Sequence, residues 1–443
     1  MQSDYLIQKK PLQALLVFSL PMIIGNLFQQ TYTMADSAIV GRFVSEQALA
    51  AVGASNALTN IFICIAIGGG IGASVIVSRY FGGGKYRKMR SSIFTAILSF
   101  LLVSVVLGGF GLLFSKDIMA LLNTPADCLG MAVEYLNIYF MGLPFLFMYN
   151  VLSAMFNGLG KSKIPLFFLI FSSVFNVFLD YILVTRFHLG IAGVAWATLI
   201  AQGISAILSF AVLMRTLRKL DSARVSLFDR GDLSAMTKIA LPSIFQQSTV
   251  SIGMMLVQSV VNSFGSEALA GYSAAMRVES ICVVPMLGFG NAVSSYTAQN
   301  IGAKKHDRVV EGYHASVKMV IVCGALLCIG LEFFNRRIIR LFHGSGASSV
   351  ALATGESLLT FLGWFLCIIG FKTTVDGVLR GAGDMKMFTV ANFVNLFIRV
   401  ALAVLLAPRF GMPFIWYAVP VGWFANWAIS YGRYRTGKWR ERG

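Results

Sequence analysis

Apolar runs of eighteen residues or more recur along the whole chain, separated by short polar interruptions. About 20 apolar residues in a helix cross roughly 30 Å of hydrocarbon, so each run predicts a membrane-spanning helix. Six lie near 12–38, 49–77, 91–115, 131–157, 164–185 and 191–216. A polar linker, 218–238, carries Asp229-Arg230-Gly231-Asp232, and six more runs follow near 239–263, 272–298, 313–333, 354–380, 386–407 and 412–432. The pattern predicts an all-α polytopic membrane protein with about 12 spans, both termini on one side.

The two halves repeat each other. Leu20-Pro21 answers Leu241-Pro242, and Phe43-Val-Ser-Glu-Gln-Ala-Leu-Ala answers Phe264-Gly-Ser-Glu-Ala-Leu-Ala. Arg79-Tyr-Phe-Gly-Gly-Gly-Lys answers Gln299-Asn-Ile-Gly-Ala-Lys-Lys, and Phe156-Asn-Gly-Leu-Gly-Lys-Ser-Lys answers Leu379-Arg-Gly-Ala-Gly-Asp-Met-Lys. With six helices per half, equivalent helices cross in the same direction. Such repeats are related by a pseudo-two-fold along the membrane normal, and substrate binds between them. The expected division is a lobe over 1–217, a cytoplasmic linker over 218–238 and a second lobe over 239–443.

Composition agrees: 57% of the 443 residues are apolar and 12% charged, against about a quarter charged in a soluble domain. The net charge of +17 sits in short loops, in groups such as Arg79, Lys85, Arg87, Lys88, Arg90 and Lys304, Lys305, Arg308. Basic loops alternating with poor ones place the termini in the cytoplasm, and no continuous basic stripe offers itself to nucleic acid. The N-terminal polar stretch ends at Lys9-Lys10 with no cleavage site, so the first helix stays in the mature chain. Six cysteines without metal-ligand or redox spacing read as small buried residues. Gly158-Leu-Gly-Lys-Ser162 lacks the first glycine of a phosphate-binding loop, Met155 standing there, and Gly68-Gly-Gly-Ile-Gly72 reads as a packing or bending element. The four histidines are scattered, and no nucleophile–base pair or metal cluster is legible. No enzyme activity and no cofactor are expected.

A charge at mid-membrane costs roughly 2.5–3.5 kcal/mol on insertion scales, so the few intramembrane ionisable groups are the informative residues. In helix 1, Gly25, Gln29, Tyr32 and Asp36 share a face; in helix 5, Asn176 and Asp180 do. Each acid lies shortly before the end of its helix, in the outer half of the first lobe. Two carboxylates close together in low dielectric cannot both stay ionised cheaply; a shared proton or a bound Na+ would neutralise them. In the second lobe, helix 10 carries Lys372 and Asp376, an i,i+4 pair able to neutralise itself, and helix 7 carries Gln247, Ser251, Gln258 and Asn262. That set is either a second site or a structural pair. Arg399 calls for a partner on a neighbouring helix; Arg277 and Glu279, two residues apart, point to different faces and each needs another partner. Gln29, Tyr32, Met34, Tyr139, Met254 and Met255 are candidates for substrate contact, though core packing explains such residues as well.

Pro21-Met-Ile-Ile-Gly-Asn with Asp36-Ser-Ala-Ile-Val-Gly41, the loop Asn157-Gly-Leu-Gly-Lys-Ser-Lys-Ile-Pro165, Asn176 with Leu179-Asp180-Tyr181, and Arg380-Gly-Ala-Gly-Asp384 resemble the multidrug and toxic compound extrusion family over nearly the whole chain. The resemblance implies two six-helix lobes around a cavity and export of amphipathic, often cationic compounds in exchange for H+ or Na+ by alternating access. It implies that the first-lobe cation residues are Asp36, Asn157, Asn176, Asp180 and Thr198, and that Asp376 matches a helix 10 acid used in some branches. Those branches also use a helix 7 glutamate, where this chain has Gln246 and Gln247. A bacterial inner membrane and a monomer able to work alone are the corresponding expectations. The rivals are a lipid or lipid-linked saccharide flippase, which would call for more helices and an intramembrane arginine cluster, a membrane-embedded enzyme, and a channel.

Overall fold

The computed structural model describes residues 4–122, 124–220, 225–343 and 348–442. After a single helical turn, Tyr5–Gln8, twelve long helices follow: α1 Pro11–Phe43, α2 Glu46–Gly82, α3 Tyr86–Leu121, α4 Ala126–Gly158, α5 Lys163–Thr185, α6 Gly190–Leu220, α7 Arg230–Asn262, α8 Ser266–Gly302, α9 His306–His343, α10 Ser349–Ala382, α11 Met385–Phe410 and α12 Pro413–Arg435. Among the described residues no strand occurs. The all-α polytopic fold is therefore present, with eleven helices long and apolar enough to cross a membrane. The remaining one, α12, is diluted by Trp416, Tyr417, Trp423, Asn426 and Trp427.

Nearly all the helices extend beyond the apolar windows, because a helix continues through the polar interface once its backbone groups are capped. The expected linker shows this best. Residues 218–220 still belong to α6, and 230–238 already belong to α7; residues 221–224 lie outside the described part. Asp229 sets the start of α7: its carboxylate accepts from the Gly231 and Asp232 amides at 2.7 and 3.1 Å. The Asp232 carboxylate in turn accepts from the hydroxyls of Tyr80, at 2.8 Å, and Ser92.

The chain divides into two compact units, Ile24–Ile244, and Met1–Ile23 with Phe245–Gly443. Both divisions fall two residues past a proline, Pro21 in α1 and Pro242 in α7, where the missing amide interrupts the helical ladder. In the first unit α4 is central, packed on α2, α3 and α6, with α5 against α6; in the second α10 is central, packed on α8, α9 and α12, with α11 against α12. The sequence repeat thus reappears as one packing scheme used twice. In the second unit the N-terminal turn is held down as well, since Asn300 donates to the Leu6 carbonyl at 3.2 Å and Arg308 to that of Lys9 at 2.6 Å.

Without water there is no hydrophobic force between spanning helices, so close backbone packing must hold them. The α8–α10 seam achieves it with glycine. A Cβ at Gly290 would meet the Thr373 carbonyl at 2.6 Å, while one at Gly377 would run into the Gly290 carbonyl and one at Gly381 into that of Ser294. The Thr373 hydroxyl donates across the seam to the Met286 carbonyl at 2.9 Å. The glycines of helix 2 also serve close packing: Gly68 and Gly72 leave room for Ile244 and for Met236 with Ala240 of α7. Elsewhere the helices are apolar outward; Leu102, Val106 and Leu113 of α3 and Val322, Leu326 and Phe333 of α9 are exposed, as residues facing lipid are. The cysteines are free, with Cys64, Cys128 and Cys282 buried and the others half-buried.

Two tests follow from this packing. Gly377→Leu should destabilise the purified protein by about 1–3 kcal/mol or more, seen as a lower thermal midpoint in detergent. Gly330→Leu, at a position where a Cβ meets nothing within 4 Å, should leave the midpoint almost unchanged. At the α11 start, fully buried Asp384 accepts from Arg433 at 2.5 Å. Arg433→Met removes one side of this buried ion pair and should lower the midpoint in the same thermal assay, whereas adding Asp384→Asn should recover part of the loss.

Candidate functional site

Asp36 and Asp180 come together. α1 brings Tyr32 and Asp36 on one face, α5 brings Asn176 and Asp180, α6 contributes Thr198 and α4 Tyr135, all within the first unit. The two carboxyl groups lie within interacting range of each other. Asp180 is fully buried, Asn176 is 2% exposed and Asp36 is half-buried. With its amide turned so that no donor faces a donor, Asn176 donates to Asp180 at 3.0 Å and to the Tyr32 hydroxyl at 3.3 Å. Its oxygen accepts from the Thr198 amide at 3.0 Å and hydroxyl at 3.1 Å. Asn176 is thus a clamp that fixes the α5 acid relative to α1 and α6. One oxygen of each carboxyl, Oδ1 of Asp36 and Oδ1 of Asp180, is sealed from solvent and accepts no hydrogen bond. Buried acceptors of this kind carry a desolvation penalty that a proton or cation would relieve.

A cleft adjoins this cluster, lined by Tyr135, Tyr139, Leu146, Thr198, Leu199 and Gln202 and enclosing about 290 Å³ with its mouth. Thr198 and Tyr135 belong to both. Tyr139 lines it while donating to the Thr59 carbonyl at 3.2 Å. Of the other substrate-contact candidates, Tyr32 belongs to the acid cluster, and Gln29, Met34, Met254 and Met255 are exposed.

Asn157 is not part of the cluster. It lies at the far end of α4 from Tyr135, about 33 Å along the helix at 1.5 Å per residue, so helix geometry separates it from the acids. Its buried Oδ1 accepts no hydrogen bond where it is. Tyr135 was not singled out in the sequence, although it stands one turn from Tyr139 on the same face.

In the second unit Lys372 and Asp376 form the expected pair, Nζ to Oδ2 at 3.4 Å, both buried. Ser430 of α12 donates to Asp376 at 2.7 Å. Arg380, one turn on, is 6% exposed and donates to Asn291 at 2.7 Å and Ser294 at 3.3 Å. Among the described residues Gln247 and Gln258 hydrogen-bond to neither member of the pair. Gln258 instead donates to Asn262 at 3.2 Å, four residues along its own helix. Of the second-lobe set predicted on spacing, Lys372 and Asp376 thus bond to each other, while Gln247 and Gln258 stay outside the pair's hydrogen bonds. Arg277 is exposed, whereas Glu279 is buried and lies within electrostatic reach of Arg399. The described residues contain no cluster of three His, Cys, Asp or Glu able to hold a metal ion.

Residues 21–182 and 242–405 match the MatE family model, one copy in each half. The probable multidrug resistance protein YpnP of Bacillus subtilis is 30% identical, covering 98% of this chain and 97% of its own. The multidrug export protein MepA of Staphylococcus aureus is 25% identical over 92% of this chain and 90% of its own. An outward-facing multidrug resistance transporter of the MATE family within the MOP superfamily superposes with a TM-score of 0.92 at 22% identity, over 100% of this chain and 99% of that one. Two family domains in tandem, on twelve helices packed by one scheme used twice, make the chain a member of the multidrug and toxic compound extrusion (MATE) family.

Proposed function

We propose that this protein is a secondary antiporter that exports amphipathic, often cationic compounds from the cytoplasm of a bacterial cell by alternating access, with the Asp36–Asp180 pair as its coupling site. Both termini then face the cytoplasm, and a monomer suffices, since every residue of the pair comes from one chain. The observation that carries the reading is that α1 and α5 bring the Asp36 and Asp180 carboxyl groups within interacting range of each other. Two carboxyl groups this close in low dielectric are stable together when one positive charge joins them, so the pair is a place for a single proton or small cation. The ion we propose is H+, which needs no ligand beyond the two acids themselves, whereas Na+ would call for several further oxygens.

Protonation from the outer side lets the pair close and tie α1 to α5. Loss of the proton leaves two carboxylates in low dielectric, whose repulsion drives them apart. One charge moving down 100 mV supplies about 2.3 kcal/mol, and one pH unit about 1.36 kcal/mol. Together they sustain a gradient of several hundredfold. The Tyr135–Tyr139 cleft is the substrate-facing part of the same unit, reached through Thr198, which also clamps Asn176.

In proteoliposomes, efflux of a fluorescent lipophilic cation should follow an imposed proton gradient and ignore a sodium gradient. Asp36→Asn and Asp180→Asn should each cut the gradient-driven rate at least tenfold while equilibrium binding of the dye persists. Normal efflux by a folded Asp36→Asn protein would refute the coupling site; efflux driven by sodium alone would replace H+ with Na+ at it.

A further inference from the structure

The second unit holds a cleft of its own, between α7 and α11, lined by Gln246, Thr249, Asn392, Asn395 and Arg399 and enclosing about 270 Å³ with its mouth. Its chemistry is opposite to that of the acid pair. Asn392, Asn395 and Arg399 recur at three and four residues, so one face of α11 presents two amides and a guanidinium. Matching Phe156–Lys163 with Leu379–Lys386 and counting along the helices, Arg399 stands where the first half has Asn176. Asp180 is answered by Ala403. The repeat has kept the position and exchanged an acid-bearing face for a basic one.

The groups around this cleft have hydrogen bonds left to make. Arg399 Nε, Gln246 Oε1 and Asn395 Oδ1 are sealed from solvent and have no hydrogen-bond partner. Asn392 and Asn395 are each 7% exposed. Glu279 and Tyr272 of α8 lie within electrostatic reach of the guanidinium, but among the described residues no carboxylate approaches Arg399 within the 4.0 Å of an ion pair. The remote Glu279 balances the buried charge without occupying its donors. An unpaired guanidinium N–H in low dielectric is a strong donor to an oxyanion, while the free amide oxygens ask for N–H or O–H groups. A ligand bringing both an oxyanion and a cationic nitrogen would satisfy Arg399 and leave Glu279 compensated.

We propose that the α7–α11 cleft is a binding subsite for the carboxylate of zwitterionic compounds, with Arg399 as its anchor and Gln246 and Asn395 accepting from the donor groups beside it. Within the amphipathic compounds of the export reading, this gives carboxylate-bearing ones an anchor of their own. It rests on the export reading only for its consequence in transport, because binding is measured at equilibrium without any gradient.

Two xanthene dyes of the same skeleton make the test: rhodamine 110, a zwitterion with a free carboxylate, and rhodamine 123, its cationic methyl ester. Binding of each to the purified full-length protein is followed by fluorescence polarisation. The wild type should bind the free acid at least as tightly as the ester. Arg399→Gln should weaken the free acid about tenfold, the ester less than twofold, and Arg399→Lys should restore part of the difference. Asn395→Asp, which sets a like charge beside the bound carboxylate and leaves Arg399 in place, should give the same selective loss and serves if Arg399→Gln does not fold. Equal losses for both dyes would show that Arg399 merely supports the fold, and an unchanged free-acid affinity in a folded variant would remove it from binding. A wild type that binds only the ester would overturn the proposal without any variant. Loss of gradient-driven efflux in Asp36→Asn with this dye selectivity intact would separate the two readings.

Discussion

In hydrocarbon a charge has to be neutralised where it sits, and the placement of polar groups in this protein follows from that requirement. Lys372 meets Asp376 on its own helix, and Asp384 meets Arg433 at the α11–α12 end of the second unit. These pairs are self-sufficient: each acid has a basic partner within reach and, for Asp376, a serine hydroxyl as well. Asp36 and Asp180 are different, since among the described residues each is accompanied by another acid and neutral hydrogen-bonding groups, with no basic side chain in an ion pair with either. A pair of that composition is neutral only when a positive charge arrives from outside the protein, which is the physical content of ion coupling.

Such a pair is useful only if its distance is held. The helices that carry it cannot rely on water to press them together, so small residues bring backbones into contact and serine and threonine hydroxyls tie them. Gly290, Gly377 and Gly381 do this for α8 and α10, while Ser78 of α2 donates to the Gly158 carbonyl of α4 at 3.1 Å. The rigid frame is interrupted where Pro21 and Pro242 break the ladder, and there each of α1 and α7 passes from one compact unit to the other. For the proposed alternating access, these two prolines are the natural bending points.

Much of the fold was legible in the residues. Twelve apolar runs became twelve helices, and Leu20-Pro21 answering Leu241-Pro242 foretold a packing scheme used twice. The helix ends were not legible, because apolar windows stop at the first charges whereas capping groups such as Asp229 let the helix continue. The acid pair was legible from scarcity and spacing, and Asn176 and Thr198 joined it. Asn157 did not, since family resemblance carries residue types along the chain but not the turns of helix that separate them. Gln247 and Gln258 form no hydrogen bond to the Lys372–Asp376 pair among the described residues, and spacing along α7 could not fix which way they face.

The sequence by itself determined the solvent, the number of helices and the residues too costly to bury without a purpose. These follow from transfer free energies and helical periodicity, which are local properties. Only the tertiary structure decided which of those residues meet: that Asp36 lies beside Asp180, that Asn176 ties Asp180 to Tyr32 and Thr198, that Tyr135 lines the adjoining cleft, and that Arg399 keeps an unpaired donor. Contacts between helices depend on rotation about each helix axis and on how close the backbones approach, and both are settled by packing across the whole bundle.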